Sequence, residues 1–283
     1  MILLTECPRD AMQGIKHFIP TKEKVEYLNT LLKVGFTTLD CGSFVSPKAI
    51  PQMQDTPEVL KKINYQNSST KLSVIVANKR GAEDAVHFEQ VSFLGYPFSI
   101  SETFQLRNTN ATIEQSLTRV EEIVTLCENY KKTPLLYISM AFGNPYNDQW
   151  SAELAQEWVK RLHNEFGILH FSMADTIGVS NPKNIVQLFS TLITTLPHLS
   201  LSAHLHTTPE TGEEKVEAIL KGGCQWIEGA LKGYGGCPMA KDELTGNMPT
   251  EKILNYLEEK NYKFNLNRSA FEDSLKLANR LFL

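Results

Sequence analysis

The amino-acid sequence predicts an α/β fold of the (β/α)8 barrel type. Eight apolar runs with strand character alternate with helical or loop-rich stretches along the chain. The 283 residues contain no linker-like or low-complexity segment, and this length is typical of such a barrel. An open doubly wound sheet is the alternative, but residues 6–9, after the first strand, include no glycine for a phosphate-binding loop. We therefore expect one TIM-barrel catalytic domain over residues 1–283, with its active site at the C-terminal strand ends and extra C-terminal helices.

The first half of the chain supplies four of the strands. They are predicted at residues 2–5, 36–40, 71–76 and 90–94, with a loop at 8–10 and a helix at 81–88. Thr21 is the expected N-cap of the first long helix, and Gly35 follows the end of that helix. Thr112 and Gln115 predict a capping box at the start of a later helix.

The second half supplies the other four strands. They are predicted at residues 134–139, 168–175, 199–204 and 224–228. Ser151 and Asn181 are the expected N-caps of two helices, and Pro182 takes the first helical position after Asn181. Further helices are expected to begin at Thr208-Pro209, after Pro249 and after Asn267.

Composition and charge exclude several classes of protein. The chain is 42% hydrophobic and 21% charged, which is typical of globular proteins rather than disordered or fibrous ones. It carries 28 basic and 32 acidic residues, a net charge of -4, and no basic run that would indicate nucleic-acid binding. An anionic ligand must therefore be attracted by local cations against the overall charge.

The lack of targeting signals and the cysteine usage predict a cytoplasmic location. No apolar stretch reaches the length of a membrane span, so no membrane partner is expected. Residues 1–8 lack the basic start of a signal peptide. The five cysteines have no CxxC spacing and favour reduced thiols; they are Cys7, Cys41, Cys127, Cys224 and Cys237.

The pair His204-x-His206 lies at the end of the seventh predicted strand. Side chains alternate faces along a strand, so both rings should point the same way from a rigid edge. Imidazole is the commonest side-chain ligand of divalent transition metals. Such a pair in isolation is more often a surface pair or a core pair than a metal site. The other residues of the site therefore decide between the structural and the metal-binding interpretation.

Other polar residues follow the C-terminal ends of the predicted strands, where the active sites of these barrels lie. They are Arg9, Asp10, Asp40, Ser43, Glu102, Ser139, Asp175, Cys237 and Asn247. Asp10, the two histidines and an amide oxygen would form a mixed nitrogen and oxygen site for Mg, Mn, Co or Zn.

Each of these candidates has a simpler structural interpretation. Asp10 could cap the turn after the first strand or form a solvated pair with Arg9. Asp175 could bond only to backbone amides of its own loop. Lys48 could be a solvated charge or an anion contact. The glycine-rich stretch 233–238 could be a flexible turn with an incidental thiol, or a lid that carries Cys237 over the mouth of the barrel.

These residues together carry a resemblance to a known family. The motifs are Pro8-Arg9-Asp10 with Gln13, residues 43–48 with 51–53, Asp175-Thr176-Ile177-Gly178-Val179, His204-Leu205-His206, Gly235-Gly236-Cys237-Pro238 and Gly246-Asn247. They occur in order from about residue 2 to residue 255, and they resemble the 3-hydroxy-3-methylglutaryl-CoA (HMG-CoA) lyase family. That family belongs to a wider group of barrel metallo-lyases that includes isopropylmalate synthases.

The resemblance implies a role for each matched residue. It implies metal ligation by Asp10, His204, His206 and Asn247. It also implies that Arg9 stabilises an enolate, that His204 helps to move the hydroxyl proton, and that Cys237 is a loop-borne acid. The implied substrate-binding residues are Gln13, Ser43 and Asp175, and position adds Asp40, Lys48 and Ser139 as candidates. Such roles suit carbon–carbon cleavage, which needs a metal to acidify the hydroxyl and a cation to stabilise the departing enolate.

The chain also departs from the family pattern around the expected metal. Thr5 replaces an acid of the first strand, Cys7 replaces a glycine, and Asp40 replaces a glutamate. Thr207 stands where the family has aspartate, Asn144 stands where it has cysteine, and one extra residue separates Cys237 from Asn247. Losing outer-shell acids can weaken metal binding by about 10 to 100-fold.

Three functional hypotheses follow. The first is a lyase that uses Mg or Mn, with Zn or Co as alternatives, to cleave HMG-CoA to acetyl-CoA and acetoacetate; leucine degradation and a homodimer are the corresponding expectations. The second is an aldolase or condensing enzyme of the same group that acts on a related 3-hydroxy acid or acyl-CoA. The third is a non-catalytic barrel that binds a partner.

Overall fold

A computed structural model describes residues 1–66, 68–236 and 245–282. Eight parallel strands form a closed barrel in which each strand pairs with the next and β8 pairs with β1. The strands are β1 Leu3–Glu6, β2 Thr38–Ser43, β3 Lys71–Ile75, β4 Val91–Ser99, β5 Thr133–Ser139, β6 His170–Asp175, β7 Ser200–Thr207 and β8 Trp226–Gly229. The predicted TIM-barrel fold is confirmed.

Helices surround the barrel, and two of them follow the last barrel strand as the sequence predicts. They are α1 Pro8–Gln13, α2 Thr21–Val34, α3 Thr56–Lys62, α4 Lys79–Val86, α5 Glu102–Thr109, α6 Ile113–Asn129, α7 Ala152–Phe166, α8 Pro182–Thr195, α9 Gly212–Lys221, α10 Thr250–Glu259 and α11 Arg268–Phe282. None of the helices in the described ranges is long and apolar enough to cross a membrane.

Several helices begin where the capping residues predict. Thr112 and Gln115 make both bonds of a capping box before α6. Asn181 accepts from the amides of Lys183 and Asn184 before α8, and Ser151 accepts from Leu154 N before α7. These local bonds pair amides that the first helical turn leaves without a partner.

Other predicted boundaries are wrong. Residues 8–10 form the start of α1 rather than a loop, because Pro8 at the first helical turn fixes a helical φ. Pro20, not Thr21, is the N-cap of α2. The predicted start at Thr208-Pro209 is also wrong, since α9 begins at Gly212. Glu102, expected in a loop, is the first residue of α5 and is exposed.

The strands extend further toward the mouth than their apolar runs suggest. β2 reaches Ser43, β4 reaches Ser99 and β7 reaches Thr207. A ninth strand, β9 Gly246–Asn247, lies antiparallel to the end of β7. Polar side chains at the ends of β2 and β7, and Gly95 and Pro97 within β4, obscure the residue pattern on which strand prediction depends.

The interior of the barrel divides into an apolar part and a polar part. A small buried cluster of inward-facing residues fills the apolar part: Ile75, Phe93, Leu135, Tyr137 and Trp226. A larger apolar core joins the outer side of the barrel to the helices. The buried polar residues at the C-terminal strand ends therefore face a single mouth, where the candidate site lies.

Candidate active site

Two histidines of β7 and one aspartate of α1 form a compact buried cluster. His204 and His206 lie on the same face of the strand, and their ring centroids are 5.5 Å apart. Asp10 joins them, with one potential ligand atom from each of the three residues within 4.8 Å of the others. The structure therefore brings these predicted residues together, and their role as metal ligands remains a prediction.

The hydrogen bonds of His206 define its tautomer. Its Nδ1 lies 2.9 Å from the backbone oxygen of Thr176. A carbonyl oxygen only accepts, so Nδ1 carries the hydrogen and Nε2 keeps its lone pair. That Nε2 is buried and has no hydrogen-bond partner in the described part of the chain. Burial lowers the pKa of His206, and His204 acts in the same direction, which favours the neutral ring that binds metals.

His204 faces a carboxylate instead of a carbonyl. Its Nδ1 lies 3.1 Å from Oε2 of Glu228, whose Oε1 accepts from Ser172 at 2.7 Å and Ser202 at 2.6 Å. Burial lowers the pKa of His204, but Glu228 and then Asp10 raise it above its ordinary value. Burial raises the pKa of Glu228, but His204 and the two hydroxyls lower it below its ordinary value. Glu228 is therefore an ionised acceptor held by three donors.

Cys7 contacts the same carboxylate. Cys7, His204 and Glu228 form a second group with potential ligand atoms within 4.8 Å of one another. The Cys7 thiol donates to Glu228 Oε2 at 3.8 Å. Burial and the charge of Glu228 raise the pKa of Cys7 well above its ordinary value, so the thiol stays protonated. Metals bind thiolates, and the cluster with Asp10 and His206 therefore suits a cation better.

Asn247 lies beside the cluster because β9 pairs it with His206. Its Nδ2 donates to Asp10 Oδ2 at 2.5 Å and to the Tyr234 carbonyl at 2.8 Å. Burial raises the pKa of Asp10, but Arg9 and the two histidines lower it below its ordinary value. One ionised carboxylate, two imidazoles and one amide make a donor set that fits a divalent cation.

Arg9 is a buried guanidinium held on three sides. Its Nε donates to Asp40 Oδ2 at 2.9 Å and its Nη2 to the same oxygen at 2.5 Å. Its Nη1 donates to Asp10 at 3.0 Å and to Gln13 at 2.8 Å. Burial lowers the pKa of Arg9, but Asp40 and Asp10 raise it above its ordinary value. Asp40, a candidate substrate contact, thus lies fully buried against Arg9 and orients it.

The other candidate substrate-binding residues lie in different settings. Gln13 bridges the cluster, since its Nε2 donates to Asp10 at 2.5 Å while its oxygen accepts from Arg9. Ser43 ends β2 and Ser139 ends β5, both buried near the mouth. Lys48 is exposed in the segment after β2.

Asp175 and Lys215 form a buried pair at the end of β6. Lys215 Nζ lies 3.0 Å from Asp175 Oδ2 and 2.7 Å from the His206 carbonyl, and both side chains are 1% exposed. Asp175 also accepts from the amides of Val179 and Ser180 at 2.9 Å each. Asp175 therefore bonds to amides of the loop that carries Thr176, but it also bonds to Lys215 and to the Ser180 hydroxyl, so it does not bond to backbone amides alone.

Sequence reasoning missed three functional side chains of this site. Glu228 and Lys215 orient the cluster, and the Tyr137 ring packs edge-on against His204 at 5.7 Å between centroids. The position of Glu228 near the end of the eighth predicted strand was a usable signal. Lys215 had none, because it lies within an amphipathic helix among acidic residues.

The glycine-rich segment approaches the cluster closely. Gly235 has φ +90°, and a Cβ on it would lie 2.5 Å from the Asp10 carbonyl and 2.6 Å from Asn247 Nδ2. Glycine is needed there because both the backbone conformation and the space exclude a side chain. Cys237, predicted as the loop-borne acid, lies outside the described residues.

The departures from the family pattern have local structural explanations. Thr5 accepts from Trp226 Nε1 at 2.7 Å inside the barrel. Thr207 is buried and pairs with Gly246 of β9. Asn144 folds its loop, since its side-chain oxygen accepts from the amides of residues 146 and 148.

Comparison with known proteins identifies the family. The family model with the description HMGL-like matches residues 1–277. The chain belongs to the HMGL-like family. It is 32% identical over 249 residues to the cytoplasmic 3-hydroxy-3-methylglutaryl-CoA lyase of Homo sapiens, a match that covers 87% of this chain and 66% of the human protein.

Solved structures agree with this family. The HMG-CoA lyase from Brucella melitensis has a TM-score of 0.91 at 26% identity and covers 99% of this chain and 98% of its own. An HMG-CoA lyase from A. baumannii, in complex with coenzyme A and 3-methylmalate, has a TM-score of 0.90 at 30% identity, with coverages of 99% and 90%. This member of the HMGL-like family is a carbon–carbon lyase, and the described cluster offers ligands for a metal ion.

Proposed function

We propose that this protein is a divalent-metal lyase that cleaves 3-hydroxy-3-methylglutaryl-CoA to acetyl-CoA and acetoacetate. The observation that carries the proposal is the buried cluster of Asp10, His204 and His206 directly beside Arg9. It combines potential metal ligands with a cation that can stabilise an enolate, which is the combination that this cleavage needs.

Asp10, His204, His206 and Asn247 would hold the metal, with Mg or Mn as the proposed ion and Zn or Co as alternatives. The two imidazoles, the carboxylate and the amide oxygen match the ligand preferences of these ions. When bound, such an ion lowers the pKa of the substrate hydroxyl and orients it.

Arg9 would stabilise the departing enolate. Four of its five N–H groups already bond to Asp40, Asp10 and Gln13. The remaining N–H on Nη2 has no acceptor among the described residues and would donate to an enolate oxygen. Because Asp40 fixes the plane of the guanidinium, this donor is oriented before the substrate arrives.

The proton movements follow from the reaction itself. Removal of the tertiary hydroxyl proton forms the new ketone, and the C2–C3 electron pair leaves with the thioester fragment as an enolate. His204 would help to carry the hydroxyl proton. Cys237 would protonate the enolate carbon to give acetyl-CoA.

An acyl-CoA is the proposed substrate class. The solved A. baumannii relative, in complex with coenzyme A, supports this proposal. Gln13, Ser43, Lys48, Ser139 and Asp175 are the proposed substrate-binding residues, with Asp175 acting through its loop. We also propose a single domain over residues 1–283, a homodimer, a cytoplasmic location and a role in leucine degradation. The free thiols of the four described cysteines support a reducing compartment.

A second candidate function keeps the site and changes the substrate. Thr5, Asp40 and Thr207, which depart from the family pattern, are all buried, and Asp40 contacts Arg9 directly beside the cluster. An aldolase or condensing enzyme acting on a related 3-hydroxy acid or acyl-CoA is therefore the alternative. The non-catalytic hypothesis is disfavoured, because the proposed ligand set is complete.

A direct assay tests the proposal. Purified protein is incubated with HMG-CoA and Mg²⁺ or Mn²⁺, and acetoacetate is measured with a coupled dehydrogenase. His206→Ala is the control that should lose both metal and turnover. Acetoacetate formation by the unmodified protein supports the proposal. Its absence from protein shown to contain metal overturns the substrate, and turnover of another thioester or hydroxy acid in the same assay series would establish the alternative.

A further inference from the structure

We propose that Glu228 is a positioning residue that selects the Nδ1-protonated tautomer of His204 and so leaves the Nε2 lone pair available to the metal or the substrate proton. This inference rests on the proposed metal-dependent function. It concerns a residue on the eighth strand that touches neither the proposed ion nor the reacting atoms.

The two oxygens of Glu228 have different partners. Oε1 accepts from the hydroxyls of Ser172 and Ser202, while Oε2 faces His204 Nδ1 and the Cys7 thiol. The serine and cysteine groups all donate toward this carboxylate. A carboxylate that accepts from these three donors also presents an acceptor oxygen to His204, so the hydrogen between Glu228 and His204 belongs to Nδ1.

The strand register explains why this carboxylate reaches His204. Glu228 pairs with Thr5 across β1 and β8. Thr5 stands where the family pattern has an acid, and its hydroxyl is occupied by Trp226 Nε1. Glu228 therefore supplies a carboxylate to His204 from the strand beside the altered position.

His206 provides an internal comparison. Its Nδ1 hydrogen is held by the main-chain carbonyl of Thr176, which a side-chain substitution does not remove. The tautomer of His204 instead depends on one side chain. A substitution at position 228 should therefore change His204 and leave His206 unchanged.

Glu228→Gln makes this dependence testable because the two serines define the direction of the new amide. Neither hydroxyl has another acceptor in the described part of the chain, so the amide oxygen should take the Oε1 position. The amide NH2 then faces His204 Nδ1 and donates to it. His204 must move its own hydrogen to Nε2, which removes the lone pair needed by the ion.

The experiment measures the tautomer in metal-free protein labelled with 15N-histidine, using long-range proton–nitrogen NMR spectra recorded at an alkaline pH at which both rings are neutral. We expect Nδ1–H at both His204 and His206 in the unmodified protein, and a change to Nε2–H at His204 alone in Glu228→Gln. Mn²⁺ affinity, read from the EPR signal of free Mn²⁺, should fall by about 10 to 100-fold in this variant. Glu228→Ala should lose less Mn²⁺ affinity than Glu228→Gln, although it removes more of the side chain. The alanine has no amide that would force His204 into the Nε2–H tautomer.

Two further variants serve as controls. Glu6→Gln also replaces a fully buried carboxyl group by an amide, but Glu6 contacts Leu231 N and Thr250 Oγ1 rather than a histidine, so both tautomers should stay as they are. In Glu228→Gln combined with Ser172→Ala and Ser202→Ala, the amide can turn. The Nδ1–H form of His204 should then return.

Two outcomes would overturn the inference. One is a neutral His204 ring whose single hydrogen lies on Nε2 in the unmodified protein, a measurement that does not depend on whether any variant folds. The other is a folded Glu228→Gln protein that keeps Nδ1–H and normal Mn²⁺ affinity. The tautomer is measured without metal or substrate. A failed lyase assay therefore overturns the proposed substrate but not this inference. A wrong tautomer overturns this inference but not the proposed substrate.

Discussion

Asn247 and Asp10 are 237 residues apart in the chain, yet the amide of Asn247 donates to the carboxylate of Asp10 at 2.5 Å. The contact depends on β9, which pairs Asn247 with His206 at the end of β7. The last part of the barrel therefore completes a cluster that starts immediately after the first strand.

Asn247→Ala should weaken divalent metal binding by at least about 10-fold, since it removes a proposed ligand and a hydrogen bond to Asp10. Calorimetric titration with Mn²⁺ measures this affinity. Gln156→Ala, which removes an exposed amide from α7, is the control and should bind Mn²⁺ normally. Unchanged Mn²⁺ affinity in folded Asn247→Ala protein would exclude Asn247 as a ligand.

Asp40→Asn should lower kcat by about 100-fold, because Arg9 would lose the carboxylate that fixes its plane. Mn²⁺ affinity should fall much less, since Asp40 lies behind Arg9 rather than in the cluster. Steady-state kinetics with the substrate that the protein cleaves, together with Mn²⁺ titration, separates the two effects. A loss of metal affinity that matches the loss of kcat would instead place Asp40 in the metal site.

The sequence predicted the parts of the site that follow from strand periodicity. His204 and His206 are spaced by two in an apolar strand, so their common face was predictable, and Asp10 followed from its position just after the first strand. The fold class was predictable for the same reason, because each strand and helix carries its own hydrophobic period.

The orienting residues were harder to predict because their function depends on tertiary packing. Lys215 lies near Glu213, Glu214 and Glu217 in α9, where a lysine is usually solvated, yet it is 1% exposed. Only the packing of α9 against β7 brings it to Asp175. Helix α1 was missed because its six residues are too few for a periodic pattern.

Glu6→Gln should make the stability of the protein less dependent on pH. Burial raises the pKa of Glu6 from 4.5 to about 8, and its partners Thr250 and Leu231 oppose the shift only in part. The folded state then binds a proton that the unfolded state releases above pH 4.5. The stabilisation is complete below pH 4.5 and is lost as the pH rises toward about 8.

The measurement is urea unfolding of both proteins across this pH range. The free energy of unfolding of the unmodified protein should fall relative to Glu6→Gln by about 1.4 kcal/mol per pH unit. The difference between the two proteins cancels the contribution of other titrating groups. Parallel stability curves would show that the pKa of Glu6 is not raised.

Lys215→Met should destabilise the fold by about 3 to 5 kcal/mol, because it leaves Asp175 buried without its ion-pair partner. Chemical denaturation at neutral pH measures the loss. Lys221→Met removes an exposed lysine of the same helix from its pair with Glu217, and it should cost less than about 1 kcal/mol. Equal losses in the two variants would contradict a structural role for the buried pair.

Gly235→Ala should lower both stability and metal affinity. The positive φ of Gly235 costs an alanine about 1 to 3 kcal/mol, and the new Cβ would press on the Asp10 carbonyl and on Asn247. Gly167→Ala is the matched control, since Gly167 also has a positive φ (+67°) but has nothing within 4 Å of the place that its new methyl group would take.

Both variants should lose stability from backbone strain, measured by thermal unfolding. Only Gly235→Ala should also lose Mn²⁺ affinity, because only there does the added methyl displace two proposed ligands. If Gly167→Ala weakens Mn²⁺ binding equally, the loss comes from general destabilisation and not from the approach of Gly235 to the cluster.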